Sequence, residues 1–125
     1  MPNIFSDNGL AGLKLDYGEA TVAQMTAATS GAPFVIMNLS DQAHNLRFHN
    51  DSDLEVAVMI RHPDSASGAW QPLFSLAPGQ DLPINNYAGP MCLVPPRSQI
   101  AVYRIATYAG YGNPAGKCRI YCWLA

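Results

Sequence analysis

Residues 44–64 read HNLRFHNDSDLEVAVMIRHPD, and this stretch holds all three histidines of the 125-residue chain, three of its seven aspartates and one of its two glutamates. Its apolar residues alternate with polar ones. Leu54, Val56, Val58 and Ile60 share one face of a strand and Glu55, Ala57, Met59 and Arg61 the other, because successive side chains point to opposite sides. Leu46 and Phe48 stand in the same relation to Arg47 and His49. Between the two runs lie Asn50-Asp51-Ser52-Asp53, residue types that bond their own backbone and favour turns. The stretch predicts two strands joined as a hairpin, with a charged edge toward water or a neighbour.

A metal or catalytic cluster is the competing reading. His44 and His49 are five positions apart, so a continuous strand points them to opposite faces. His62 ends the second run, before Pro63, and a hairpin centred near Ser52 sets it opposite residues near His44. That supplies two ligands, where a zinc site takes at least three from the protein. Asp51–Glu55 has the acidic spacing of a calcium loop, but Val56 stands where such a loop requires glycine. No metal and no other cofactor is expected. Nor is an enzyme: the chain has no Gly-x-Ser-x-Gly elbow and no P-loop or dinucleotide fingerprint. Cys92 lies in the apolar run Met91–Val94, where an inert thiol is expected.

Outward from this stretch the pattern repeats. Ten prolines and ten glycines punctuate short apolar runs, the spacing of an all-β sandwich or barrel. The runs are Phe34–Leu39, Asn45–His49, Leu54–His62, Leu73–Leu76, Asp81–Ile84, Met91–Val94, Gln99–Tyr108 and Cys118–Leu124. The fold class is all-β, a single antiparallel β-sandwich with a jelly roll as one form open to it. Phe48, Val56, Val58, Ile60, Ile100, Val102 and Ile120 are the expected core. Arg104 shares the parity of Ile100 and Val102, so its strand must bend or emerge there. Residues 1–33 show no sustained period of two and read as an irregular N-terminal arm, with 34–125 as the sandwich domain. Ala20–Thr29 is compatible with a short helix carrying Val22 and Met25 on one side. Cys118 and Cys122 stand four apart in one strand, so their Cα atoms lie roughly 13 Å apart. A disulfide needs less than about 7 Å, and buried thiols are expected.

Composition bears on function more than any motif does. Charged residues make up 13% of the chain, about half the usual share. Residues 20–40, 65–80, 82–96 and 105–116 carry no charge and no histidine. Interfaces are depleted of charge at their centres, so the deficit suggests a subunit that covers much of its surface with partners, a homo-oligomer among them. The formal net charge of −2 gives no electrostatic footprint for nucleic acid. Residues 20–40 are too polar for a transmembrane helix, and the N-terminus lacks the pattern of a signal peptide. Neither nucleic acid nor membrane is an expected partner.

Several segments carry a likeness: Leu46–Val58, the turn Leu76-Ala77-Pro78-Gly79-Gln80, then Val94-Pro95-Pro96-Arg97-Ser98-Gln99-Ile100-Ala101-Val102-Tyr103, and the closing Gly116–Trp123. Together they resemble small β-sandwich structural proteins of tailed-phage virions, including capsid cement (decoration) proteins. Arg97-Ser98 stands where a glycine-bearing turn is more usual in that pattern. The resemblance covers residues 45–124. It implies a bacteriophage structural protein, made in the host cytoplasm and placed on the capsid exterior, with the major capsid protein or other virion subunits as partners. The arm supplies the expected contacts through Ile4, Phe5, Leu10, Leu13 and Leu15. Tyr108 and Tyr111, in a glycine-rich loop, are further partner-binding candidates. The alternative is a carbohydrate-binding module or lectin that stacks sugar on that tyrosine loop.

Overall fold

Along Leu54–Arg61 the alternation places Val56 and Val58 inward, and both are fully buried. The computed structural model describes residues 16–40, 44–84, 94–108, 110 and 113–124. Its elements are β1 (Asp16–Thr21), α1 (Val22–Ala27), β2 (Phe34–Asn38), β3 (His44–Asn50), β4 (Leu54–Arg61), β5 (Gln71–Leu76), β6 (Asp81–Ile84), β7 (Gln99–Thr107) and β8 (Lys117–Leu124). The strands form two antiparallel four-stranded sheets, ordered β1-β8-β3-β6 and β2-β7-β4-β5. Among the described strands only the β4–β5 connection stays within one sheet; the other connections cross between the two. That connectivity is the eight-stranded, double-sheet jelly roll. The all-β sandwich expected from the sequence is the observed fold.

The hairpin expectation fails. β3 lies between β8 and β6 in the first sheet, and β4 between β7 and β5 in the second. Asn50–Asp53 is an arch from one sheet to the other, and Asn50 holds it. Asn50 is fully buried. Its Nδ2 donates to the carbonyls of Leu54 at 2.7 Å and Ala77 at 3.0 Å. Its Oδ1 accepts from the Ser52 hydroxyl at 2.6 Å and the Ser52 amide at 3.2 Å. Its backbone joins the β5–β6 turn through Gly79 N to Asn50 O and Asn50 N to Gln80 O. The turn-forming chemistry is real, but it is spent bridging three segments.

The boundary at residue 33 is also corrected. β1 pairs with β8 along its whole length, from Asp16 opposite Cys122 to Thr21 opposite Lys117. α1 follows at once. Thr21 caps it: its hydroxyl accepts from Gln24 N at 3.2 Å, and the Gln24 side chain accepts from Thr21 N at 2.9 Å. Met25 then plugs the core at 0% exposure. Residues 16–33 therefore belong to the sandwich.

Phe48 of the first sheet meets Phe74 of the second edge-on, with ring centroids 4.9 Å apart. Phe48, Val56, Val58, Ile100, Val102 and Ile120 are all fully buried. Ile60, near the end of β4 and opposite Gln71, is only partly so. β7 bulges where Glu55 pairs with Ala106 and Val56 with Arg104. Arg104 and Ile105 are exposed there, so the strand leaves the core at that point. Val94 is buried in a bend, while Met91, Cys92 and Leu93 lie outside the described residues. Cys118 and Cys122 face the core, and burial pushes the Cys118 thiol up to about 12.

Candidate functional site

The register fixes two ends of the sandwich. One holds α1, the Asn50–Asp53 arch, the Ala77–Gln80 turn and the start of the loop after β7. The other holds the 62–70 and 94–98 connections and the point where the chain enters β1 at Asp16. Tyr108 lies at the first end. Ile4, Phe5, Leu10, Leu13, Leu15 and Tyr111 lie outside the described residues. Tyr108 and the start of β1 are thus at opposite ends.

Tyr108 follows β7 directly, and its amide donates to Asp53 O at 2.8 Å, which ties it to the arch. Its ring is 43% exposed. Its hydroxyl donates to Glu55 Oε1 at 3.2 Å, and that bond raises the phenol's pKa. Tyr108, Glu55, Ala77 and Pro78 line a shallow cleft of about 290 Å³. An aromatic face beside a carboxylate and a proline ring can stack a flat apolar surface while the carboxylate accepts a hydrogen bond.

The outer face of the first sheet carries a larger polar array that the sequence reading missed. Two rows cross all four strands in register. One is Tyr17–Tyr121–Arg47–Pro83, and the next is Glu19–Arg119–His49–Asp81. The Tyr17 and Tyr121 rings sit 5.3 Å apart. Tyr17 OH donates to Glu19 Oε2 at 2.7 Å and accepts from Arg119 Nε at 3.0 Å. Lys117 pairs with Glu19 at 3.1 Å, Arg47 with Asp81 at 2.6 Å and Arg119 with Asp51 at 3.4 Å. Bonds from Tyr17 and Lys117 hold the Glu19 carboxyl below its ordinary range, and Arg47 does the same for Asp81. The face supplies its own counter-ions. The signal for it lies in β8, where Lys117, Arg119, Tyr121 and Trp123 alternate with Cys118, Ile120 and Cys122.

The histidines separate. His44 and His49 belong to β3 in the first sheet, while His62 follows β4 in the second. His62 Nδ1 accepts from Asp64 N at 3.1 Å, which leaves Nε2 to donate to Pro96 O at 3.0 Å. It links two loops. Among the described residues no group of three or more His, Cys, Asp or Glu is placed to hold a metal ion.

Comparison with protein-family models, with curated proteins and with solved structures returns no match to this chain.

Proposed function

We propose that this chain is a non-enzymatic structural subunit of a virion, a capsid cement or decoration protein that binds and staples major capsid subunits. One observation carries the reading: the uneven distribution of charge over a jelly roll whose interior is filled by side chains. The strands of the first sheet hold Asp16, Glu19, Arg47, Asp81, Lys117 and Arg119. Those of the second hold only Glu55, Arg61 and Arg104, and β2 and β5 hold none. The charged face suits water on the capsid exterior. The uncharged surfaces suit burial against neighbours, because no ion has to be desolvated there. The jelly roll is an architecture that viral capsids share with lectins, and the likeness of residues 45–124 to phage structural proteins points the same way. In this reading residues 1–15 reach a neighbour through Ile4, Phe5, Leu10, Leu13 and Leu15.

The test is a count. Particles from the host that carries the gene are banded by density and analysed by quantitative mass spectrometry. The chain is expected in a fixed ratio to the major capsid protein. Its recovery only in the soluble fraction would exclude the reading. The cleft of Tyr108, Glu55 and Pro78 favours a second function, carbohydrate binding. A glycan array probed with the full chain and with Tyr108→Ala tests it, and sugar binding lost in the variant is the supporting result.

A further inference from the structure

The carboxylates of this chain are not all treated alike. Among the described residues Glu19 pairs with Lys117, Asp51 with Arg119, Asp64 with Arg97 and Asp81 with Arg47. Asp53 and Glu55 have no cation within ion-pair distance. Arg104, a cation of the neighbouring strand β7, bonds Thr107 Oγ1 at 3.3 Å instead. Asp53 is 7% exposed, and its Oδ1 is buried without a hydrogen-bond partner, a state that native proteins seldom leave unexplained. Both acids adjoin Tyr108: Asp53 O accepts from its amide and Glu55 Oε1 from its hydroxyl.

The cleft of about 290 Å³ at this place has walls that are already fixed. Asn50 Nδ2 donates to Ala77 O, and Ala77 N donates to Gln80 Oε1 at 2.9 Å. Pro78 follows with its own ring constraint. The cleft thus offers a half-exposed aromatic face, an apolar wall of Ala77 and Pro78, and negative charge that lacks a counter-ion. A site shaped before its ligand arrives loses less free energy to ordering.

We propose that this cleft is a socket for an arginine side chain of a protein partner: the guanidinium stacks on the Tyr108 ring and bonds the Glu55 carboxylate, its stem lies on Ala77 and Pro78, and Asp53 adds a second negative charge. A guanidinium is planar, weakly hydrated and matched to a carboxylate, whereas an ammonium is compact, strongly hydrated and has no flat face. The arginine stem covers apolar surface while its head stays polar. The same arrangement occurs inside the molecule, where Arg61 lies 4.2 Å over the Trp70 ring and bonds Gln99 Oε1 at 2.7 and 2.9 Å. A sugar supplies hydroxyl donors to this cleft but no counter-charge. The partner that presents the arginine rests on the structural-subunit reading; the binding itself is tested on the chain alone.

The probe is Nα-acetyl-arginine amide, titrated into the full chain at low salt and followed by amide chemical shifts. Saturable shifts at Asp53, Glu55, Ala77, Gly79 and Tyr108 are expected, with a dissociation constant on the order of a millimolar. The citrulline amide, which keeps the shape and lacks the charge, binds at least about tenfold more weakly, as do Glu55→Gln and Tyr108→Ala with the arginine probe. Asp64→Asn, a carboxylate at the opposite end of the sandwich, leaves binding unchanged. The comparison of arginine and citrulline needs no variant to fold. The proposal is overturned if the arginine amide gives no saturable shift, if citrulline binds equally, or if the shifts fall on the ionic face of the first sheet. Methyl glucoside moving the same amides while the arginine amide does not overturns it as well, and leaves the carbohydrate reading standing.

Discussion

At the scale of single residues, Asn50 decides the topology. Its buried amide satisfies groups from the arch, the start of β4 and the β5–β6 turn at once. Asn50→Ala strands those carbonyls in the core, and removing a buried partner costs about 1–3 kcal/mol per group left unpaired. Urea denaturation of the variant should show a loss of about 3 kcal/mol; a loss below about 0.5 kcal/mol would mean the arch is held by something else. Asn50→Asp should be worse, since it sets a carboxylate against the Leu54 and Ala77 carbonyls. Arg97 is a different case. Its φ is +66°, a conformation that favours glycine. Its amide donates to Ser40 O at 2.7 Å and its guanidinium pairs with Asp64 at 2.6 Å, a pair exposed to solvent. Arg97→Gly relieves strain of about 1 kcal/mol and loses an exposed ion pair worth about the same or less. Its stability should stay within about 1 kcal/mol of the unmodified chain, whereas Arg97→Val should fall further. Cys118 gives a pH dependence. Its thiol titrates near 9.0 when unburied and about 12 in the fold, because burial disfavours the thiolate. The unfolded chain releases this proton first as pH rises. The contribution is therefore complete below pH 9 and is lost between pH 9 and about 12. Chemical denaturation across that range should show stability falling, and Cys118→Ala should flatten the fall.

At the scale of elements, most strands were legible and their pairing was not. Period two located β2 through β8, apart from shifts of one or two residues at their ends, because each has bulky apolar residues on its inner face. β1 escaped the same test for a physical reason: its inward positions are Gly18 and Ala20. A side chain at Gly18 would collide with the Ile36 carbonyl, so the strand cannot carry the signal by which strands are found. Asn50–Asp53 misled in another way. Turn-forming residues mark where the chain reverses, but they do not say whether it returns in its own sheet or crosses to the facing one. The bonds that make the choice involve Ala77, Gly79 and Gln80, which are distant in sequence. The Thr21–Gln24 capping box starts α1, and Thr21→Ala should cost about 1 kcal/mol by thermal or urea unfolding. Val58→Ala at the centre of β4 should cost roughly 1–3 kcal/mol. A change of a few tenths would contradict the inward placement of that face.

At the scale of the whole molecule, the account rests on where charge lies. The deficit was visible in composition, but its placement was not, because placement needs the strand order. The first sheet turns a self-paired ionic face outward, and the second has two strands without any charge. The fold also moves the boundary of the expected arm. Since β1 begins at Asp16, a deletion through residue 18 would remove half of a paired strand, so the informative cut follows residue 15. The chain from residue 16 onward should unfold at nearly the temperature of the full chain. The most direct test of the structural role is reconstitution. Full-length chain is titrated onto particles purified from a strain lacking its gene, the particles are pelleted, and the bound copies are counted. The account predicts saturation at a fixed ratio to the major capsid protein, with weaker binding by the chain that starts at residue 16. A full-length chain that stays in the supernatant at every concentration contradicts it.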